Sequence, residues 1–220
     1  MITLKEVKEN EKIKEFISQT EKYLNALGYT DHGQRHVNIV SDRARKIART
    51  LELSKEEEES SAISGYCHDM GNFLGRDNHN FCFALLFSQI YINEIDPRSL
   101  SSIMQAIAGH DKDELKINNN IMACLILADK SDVHRTRVKE KNIKKIAEDI
   151  HDRVNYAVIN NDLKISKKNR QIILKLVIDT KITEPMDYFE IFLDRMIFCR
   201  KAAEYLKYKF VLIINNFKLS

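Results

Sequence analysis

The residues best suited to chemistry in this chain are histidines. Seven occur, and five of them, His32, His36, His68, His79 and His110, lie in the first half. His68 stands beside Asp69, directly after the apolar stretch Ala62–Cys67, so the pair is expected near the buried end of a helix. An imidazole and a carboxylate in such a place need partners, because an unpaired buried charge is costly. A divalent metal ion meets both needs at once. Nitrogen and carboxylate-oxygen donors together suit Mn, Fe, Co, Ni, Mg or Zn, and the two oxygens of Asp69 could bridge two ions. Two further His–Asp pairs read differently. His110–Asp111 sits at a predicted helix end before the charged Lys112, Asp113 and Glu114, so Asp111 is expected to be solvated. His151–Asp152 lies in a charged segment and reads as a surface pair. A dipeptide recurs by chance, so the elements around it have to decide.

Residues 4–26 place Val7, Ile13, Phe16, Ile17 and Leu24 among charges, the pattern of one or two amphipathic helices. A second helical pattern runs from about 34 to 53, with His36 at its start and His32 one turn earlier. Ser54 and Glu57 form a capping box for the helix that ends in His68–Asp69. A loop from Gly71 to Asn78 leads into a densely apolar helix, FCFALLFSQIYI (81–92), expected to be central. Asp96–Pro97 opens a helix that reaches Gly109–His110. Asn118–Asn120 restarts the chain into a buried helix that carries Asp129 and is expected to continue through Arg137. Beyond residue 152 the apolar residues alternate, Val154, Tyr156 and Val158, then Ile172, Leu174, Leu176 and Ile178. This predicts antiparallel strands, with SKKNR (166–170) as a hairpin turn, a long helix from Pro185 to about Lys207 and a last strand in KFVLIINNFKLS. The expected fold is therefore mainly α: a helical domain over residues 1–150, and a small α+β subdomain of antiparallel strands and one long helix over 151–220.

Composition agrees. Only six Gly and two Pro occur in 220 residues, and 44% are apolar, enough for long helices around a sizeable core. A net charge of +3 with 30% charged residues is too balanced to argue for a nucleic-acid partner. Cys67, Cys82, Cys124 and Cys199 lie in separate apolar runs without a CxxC spacing, which reads as reduced core cysteines in a cytoplasmic protein. The N-terminus has no signal-type apolar run, and no stretch is long enough to span a membrane.

Over residues 30–140 the arrangement resembles the HD superfamily of metal-dependent phosphohydrolases. The resemblance rests on His36 in GQRHVNIVSDRARKIA, His68–Asp69 in AISGYCHDMGN and Asp129 in CLILADKSD. It implies an HD-type helical bundle in which His36, His68, Asp69 and Asp129 hold one ion. His79 and His110 lie where binuclear members of the superfamily place two further ligands, so a second ion is implied, with Asp69 as the bridge. One ion, with His79 and His110 facing substrate or supporting the ligands from behind, is the alternative. The resemblance departs at Asn72, where binuclear branches usually carry Lys, and no GYP motif follows. Both departures argue against a cyclic dinucleotide substrate.

The implied reaction is hydrolysis of a phosphate ester or anhydride, in a nucleotide or another small phosphorylated metabolite, by a metal-activated water. Asp69 is then a catalytic carboxylate as well as a ligand, and Asp132 is expected to act as a general base or to orient a ligand histidine. Lys130, His134, Arg135 and Arg137 would bind phosphate, with 130, 134 and 137 sharing a helix face; their alternative role is to complement the helix dipole. His32, Asn72 and Arg76 are expected around the cleft, and Arg35, Arg43 and Arg76 are weaker candidates for binding phosphate. Two rival readings share the same ligands: a di-iron oxygenase, and a metal-binding sensor or structural module that uses the C-terminal part for docking or as a homodimer interface.

Overall fold

The computed structural model describes residues 2–111 and 116–219. The chain is mainly α with a C-terminal α+β appendage. It folds as two compact units, Met1–Asp129 and Lys130–Ser220. The break expected near residue 150 falls earlier because the short helices after Lys130 pack with the second unit.

The first unit holds α1 (Leu4–Glu9), α2 (Glu11–Ala26), α3 (Gln34–Thr50), α4 (Lys55–Cys67), α5 (His79–Tyr91), α6 (Pro97–Gly109) and α7 (Asn120–Lys130), whose last residue opens the second unit. Their starts are chemically marked. Thr3 with Glu6 and Ser54 with Glu57 each form a reciprocal capping box. The side chain of Asp96 accepts from the Ser99 amide, with Pro97 in the first turn of α6.

The centre of this unit is not the most apolar helix. Phe81 and Leu85 of α5 and its C-cap Ile92 are exposed, whereas α4 is buried continuously from Ser60 to Cys67. Small side chains explain this. Ser60, Ser61, Ala62, Ser64 and Gly65 let α4 sit close to its neighbours, while the bulky residues of α5 can be buried on one face alone. At Gly65 a Cβ would lie 2.8 Å from the Ser41 Cα and 2.9 Å from the Ser41 nitrogen. That close approach of α3 to α4 brings the His36 and His68 rings together.

The second unit corrects several expectations. The helix of Asp129 stops at Lys130, and Arg135–Arg137 form a separate 3-10 turn. Lys130, His134 and Arg137 therefore share no helix face. Val154 and Tyr156 belong to a helix, α9 (Ile150–Ala157), which follows α8 (Ile143–Glu148). An Asp149 side chain accepting from the Asp152 amide caps α9, which overrides the alternation of its apolar residues. The sheet runs β1 (Val158–Ser166), β2 (Gln171–Ile178), β3 (Lys209–Ile214) and β4 (Phe217–Lys218), in that order. β1 and β2 form the expected hairpin around residues 167–170. β2 and β3 are parallel instead, because α10 (Pro185–Tyr205) returns the chain to the starting end of the sheet. The terminal segment is a hairpin, not one strand. Asn215 and Asn216, at φ 48 and 71, make its two-residue turn. Ile172, Leu174, Leu176 and Ile178 of β2 are buried as predicted.

Among the described residues, no helix is long and apolar enough to cross a membrane.

Gly65 gives a direct test of the α3–α4 approach. Gly65→Ala is expected to destabilise by about 1–3 kcal/mol, because backbone rather than a flexible side chain opposes the new methyl. At Gly109 a Cβ would meet the flexible Met122 side chain, so Gly109→Ala should stay within about 1 kcal/mol of neutral. Urea midpoints of the two variants measure the difference.

Candidate metal centre

Helix ends build the site. A helix leaves its last carbonyls without intrahelical partners, and His68 and His110, the C-cap residues of α4 and α6, use them. Nδ1 of His68 lies 2.9 Å from the Gly65 carbonyl oxygen, and Nδ1 of His110 lies 2.6 Å from that of Ile107. His79, at the start of α5, makes the same contact with the Arg76 carbonyl at 2.8 Å. With Nδ1–H donating to the backbone, each neutral ring carries its lone pair on Nε2. Gly109 and Gly65 stand close by in sequence, so the turn chemistry and the ring orientation share the same few residues.

The Nε2 atoms converge. His36 Nε2 lies 3.3 Å from His68 Nε2, 3.6 Å from Asp69 Oδ2 and 3.4 Å from Asp129 Oδ1. His68 Nε2 lies 3.2 Å and 3.5 Å from the same two oxygens. Donors at about 2.0–2.2 Å from one tetrahedral ion stand roughly 3.3–3.6 Å apart. The observed separations match such a shell. The donors of His68, His110 and Asp129, and those of Asp69, His79 and His110, also lie within 4.8 Å of one another. The His68 and His110 rings meet edge to face at 5.1 Å, and those of His79 and His110 at 5.7 Å. All six residues are buried. These buried clusters could hold a metal ion, and their nitrogen and carboxylate donors fit a divalent one.

Asp69 is held from two sides. The Asn72 side-chain amide donates to Asp69 Oδ1 at 2.9 Å and to the Asp69 carbonyl at 3.2 Å. Asp69 Oδ2 is thereby left facing His36 and His68. Thr20, on α2, donates its hydroxyl to the Met70 carbonyl at 3.1 Å and accepts from the Phe73 amide. The stacked Phe16 and Phe73 rings, 5.3 Å apart, seal this turn. Sequence reading missed Thr20. Its signal was a polar residue on the apolar stripe Ile13, Ile17, Thr20, Leu24, all buried.

His32 faces the cluster, with its ring 5.6 Å from that of His36 and its Nδ1 2.6 Å from the Thr30 carbonyl. Asp111, expected to be solvated, is only partly exposed and places Oδ2 3.5 Å from His79 Nε2; the charged Lys112, Asp113 and Glu114 lie outside the described residues. His151 and Asp149 are exposed side chains of the second unit, and Asp152 is partly exposed beside them. Arg35 pairs with the buried Asp31 at 3.7 Å.

Lys130, Asp132, His134, Arg135 and Arg137 belong to the second unit. The Arg137 guanidinium donates to the Asp132 carbonyl at 2.8 Å and lies 3.6 Å from its carboxylate, and both residues are buried. Arg135 stacks over Tyr156, at 5.2 Å from the ring centroid. His134 caps the 3-10 turn through the Thr136 amide. Lys130 is buried at the end of α7.

No family model matches the chain. It is similar to uncharacterized protein MJ1020 of Methanocaldococcus jannaschii, at 28% identity over 171 residues that cover 66% of this chain and 64% of that protein. The chain thus spans less than two thirds of that relative's length.

The buried groups perturb one another. Burial alone would lower the His68 imidazole, but the Asp69 and Asp129 carboxylates outweigh it and raise it to about 10. Burial would raise the Asp69 carboxyl, but His68, then His32 and His36, hold it well below the usual carboxylate range. A raised imidazole stabilises the fold below its unfolded value of 6.5, and that contribution is lost as the pH rises toward about 10. A lowered carboxyl stabilises above 3.8, and its contribution is lost as the pH falls through its folded value. Chelator-treated protein should therefore lose thermal stability between pH 6.5 and 10, and His68→Gln should flatten that slope in melting curves.

Proposed function

We propose that the chain is a metal-dependent phosphohydrolase of the HD superfamily, acting on a phosphate ester or anhydride of a nucleotide or similar small metabolite. The observation that carries this reading is the convergence of His36, His68, Asp69 and Asp129 donor atoms at 3.2–3.6 Å in a buried cluster. Histidine rings alone would pack without such a focus. Carboxylates alone would repel.

In this reading His36, His68, Asp69 and Asp129 hold one ion. His79 and His110 hold a second, with Asp69 common to both sets. Bound divalent ions lower the pKa of water and offset charge on a phosphoryl group. The protein's own part is geometric. The backbone carbonyls of Gly65, Arg76 and Ile107 hold three rings with Nε2 inward. Asn72 holds Asp69 so that Oδ2 faces the histidines. Burial on all sides of His36 and His68 excludes bulk water and strengthens each electrostatic contact. Asp111, beside His79, is placed to accept a proton or to orient that ring.

Metal analysis and a phosphatase screen test the proposal together. The purified chain should carry two divalent ions and hydrolyse nucleotides or small phosphoesters with Mn, Co, Ni or Mg. Asp69→Ala should remove most bound metal and lower activity by at least a hundredfold. Full metal content and full activity in Asp69→Ala would falsify the reading. His110→Ala should lower the stoichiometry toward one ion per chain; a stoichiometry still at two would exclude His110 as a ligand. Iron bound together with oxygen consumption would point to an oxygenase instead.

A further inference from the structure

Arg76 stands one side chain away from the cluster, joined to Asp69 through Asn72. Arg35, Arg45 and Arg49 of the first unit each face a carboxylate, on Asp31, Glu59 and Glu58. Among the described residues Arg76 has no carboxylate partner. Its guanidinium Nη1 donates to Asn72 Oδ1 at 3.0 Å, and its plane lies over the Tyr29 ring, 5.5 Å from the centroid. A guanidinium carries five N–H donors, so one contact with Asn72 leaves most of them for a ligand. The residue is half-buried, where a cation without a counter-ion pays more desolvation than one in open water.

Its position is fixed from three sides. The cation–π contact with Tyr29 orients the plane. The backbone carbonyl of Arg76 accepts from both the Nδ1 and the amide of His79, so the residue is anchored to a proposed ligand of the second ion. On the other side, Asn72 links it to Asp69. The link also sets the orientation of the Asn72 amide. A guanidinium can only donate, so it selects the Asn72 oxygen and turns the amide nitrogen toward Asp69.

We propose that Arg76 is the anion-binding group of the site, taking phosphoryl oxygens of the substrate on its unused N–H edge while Asn72 keeps Asp69 in place. A guanidinium matches the planar spacing of phosphoryl oxygens and can bind two of them at once. The cation that Asn72 does not supply is thus provided four residues later. The inference rests on the phosphohydrolase reading for the identity of the anion, and on Arg76 itself for the site.

Calorimetric titration with manganese and then with inorganic phosphate separates the two. Wild-type chain loaded with manganese should bind phosphate, more weakly as salt is raised. R76A should take up the same number of manganese ions but bind phosphate at least tenfold more weakly, and R76K should recover part of the loss. Should R76A not fold, R76Q enters the same titration with the same expectation. Phosphate affinity within twofold of wild type in the folded variant overturns the proposal, as does an absence of phosphate binding in wild type. Loss of manganese and phosphate together also overturns it, since Arg76 would then act through Asn72 on Asp69 alone. If wild type takes up no manganese, the phosphohydrolase reading fails, and phosphate titration of metal-free wild type against R76A decides the role of Arg76 separately.

Discussion

A carboxylate buried among imidazoles sets the terms for the rest of the first unit. Asp69 is removed from water, and only groups that carry or accept positive charge can make that tolerable. His36 and His68 lie against its Oδ2, His32 adds to their positive field, and Asn72 donates to its Oδ1. The His rings in turn need their second nitrogen satisfied, and backbone carbonyls at helix ends do this without further side chains. The site is therefore inseparable from where the helices stop.

Close packing of α3 on α4 follows from the same constraint. His36 and His68 come from different helices, and their Nε2 atoms meet at 3.3 Å. Backbones must approach nearly to contact for this, which Gly65 and the serines of α4 permit. This explains why a helix of modest hydrophobicity occupies the middle of the unit, while the more apolar α5 keeps one face in solvent. Hydrophobic content measures how much a helix gains by burial; side-chain size decides which helix can be surrounded.

In the proposed phosphohydrolase, Asn72 stands where the resemblance implies a cation. In the structure it is a buried amide between Asp69 and Arg76, with its oxygen and nitrogen assigned to opposite neighbours. In that reading the positive charge comes from Arg76, one turn away.

The helical first part, the cap at Ser54, the helix start at Asp96–Pro97 and the hairpin turn at residues 166–170 were legible in the sequence, because each depends on local chemistry such as a side chain meeting a backbone group three residues away. His68–Asp69 stood out by its apolar surroundings, and the other four residues of the buried cluster came from the resemblance to the HD superfamily. Only the tertiary structure decided the rest. The parallel pairing of β2 with β3 depends on where α10 returns the chain, which no local pattern records. The end of α7 at Lys130, and the pairing of Arg137 with Asp132, set aside a helix face that spacing alone suggested. Asp111 and Thr20 gained their places from neighbours about thirty and fifty residues distant. His68–Asp69 could be picked out from three His–Asp pairs by its apolar surroundings. That its donors lie at the spacing of a coordination shell is a property of three helices and a turn packed together, and is visible only there.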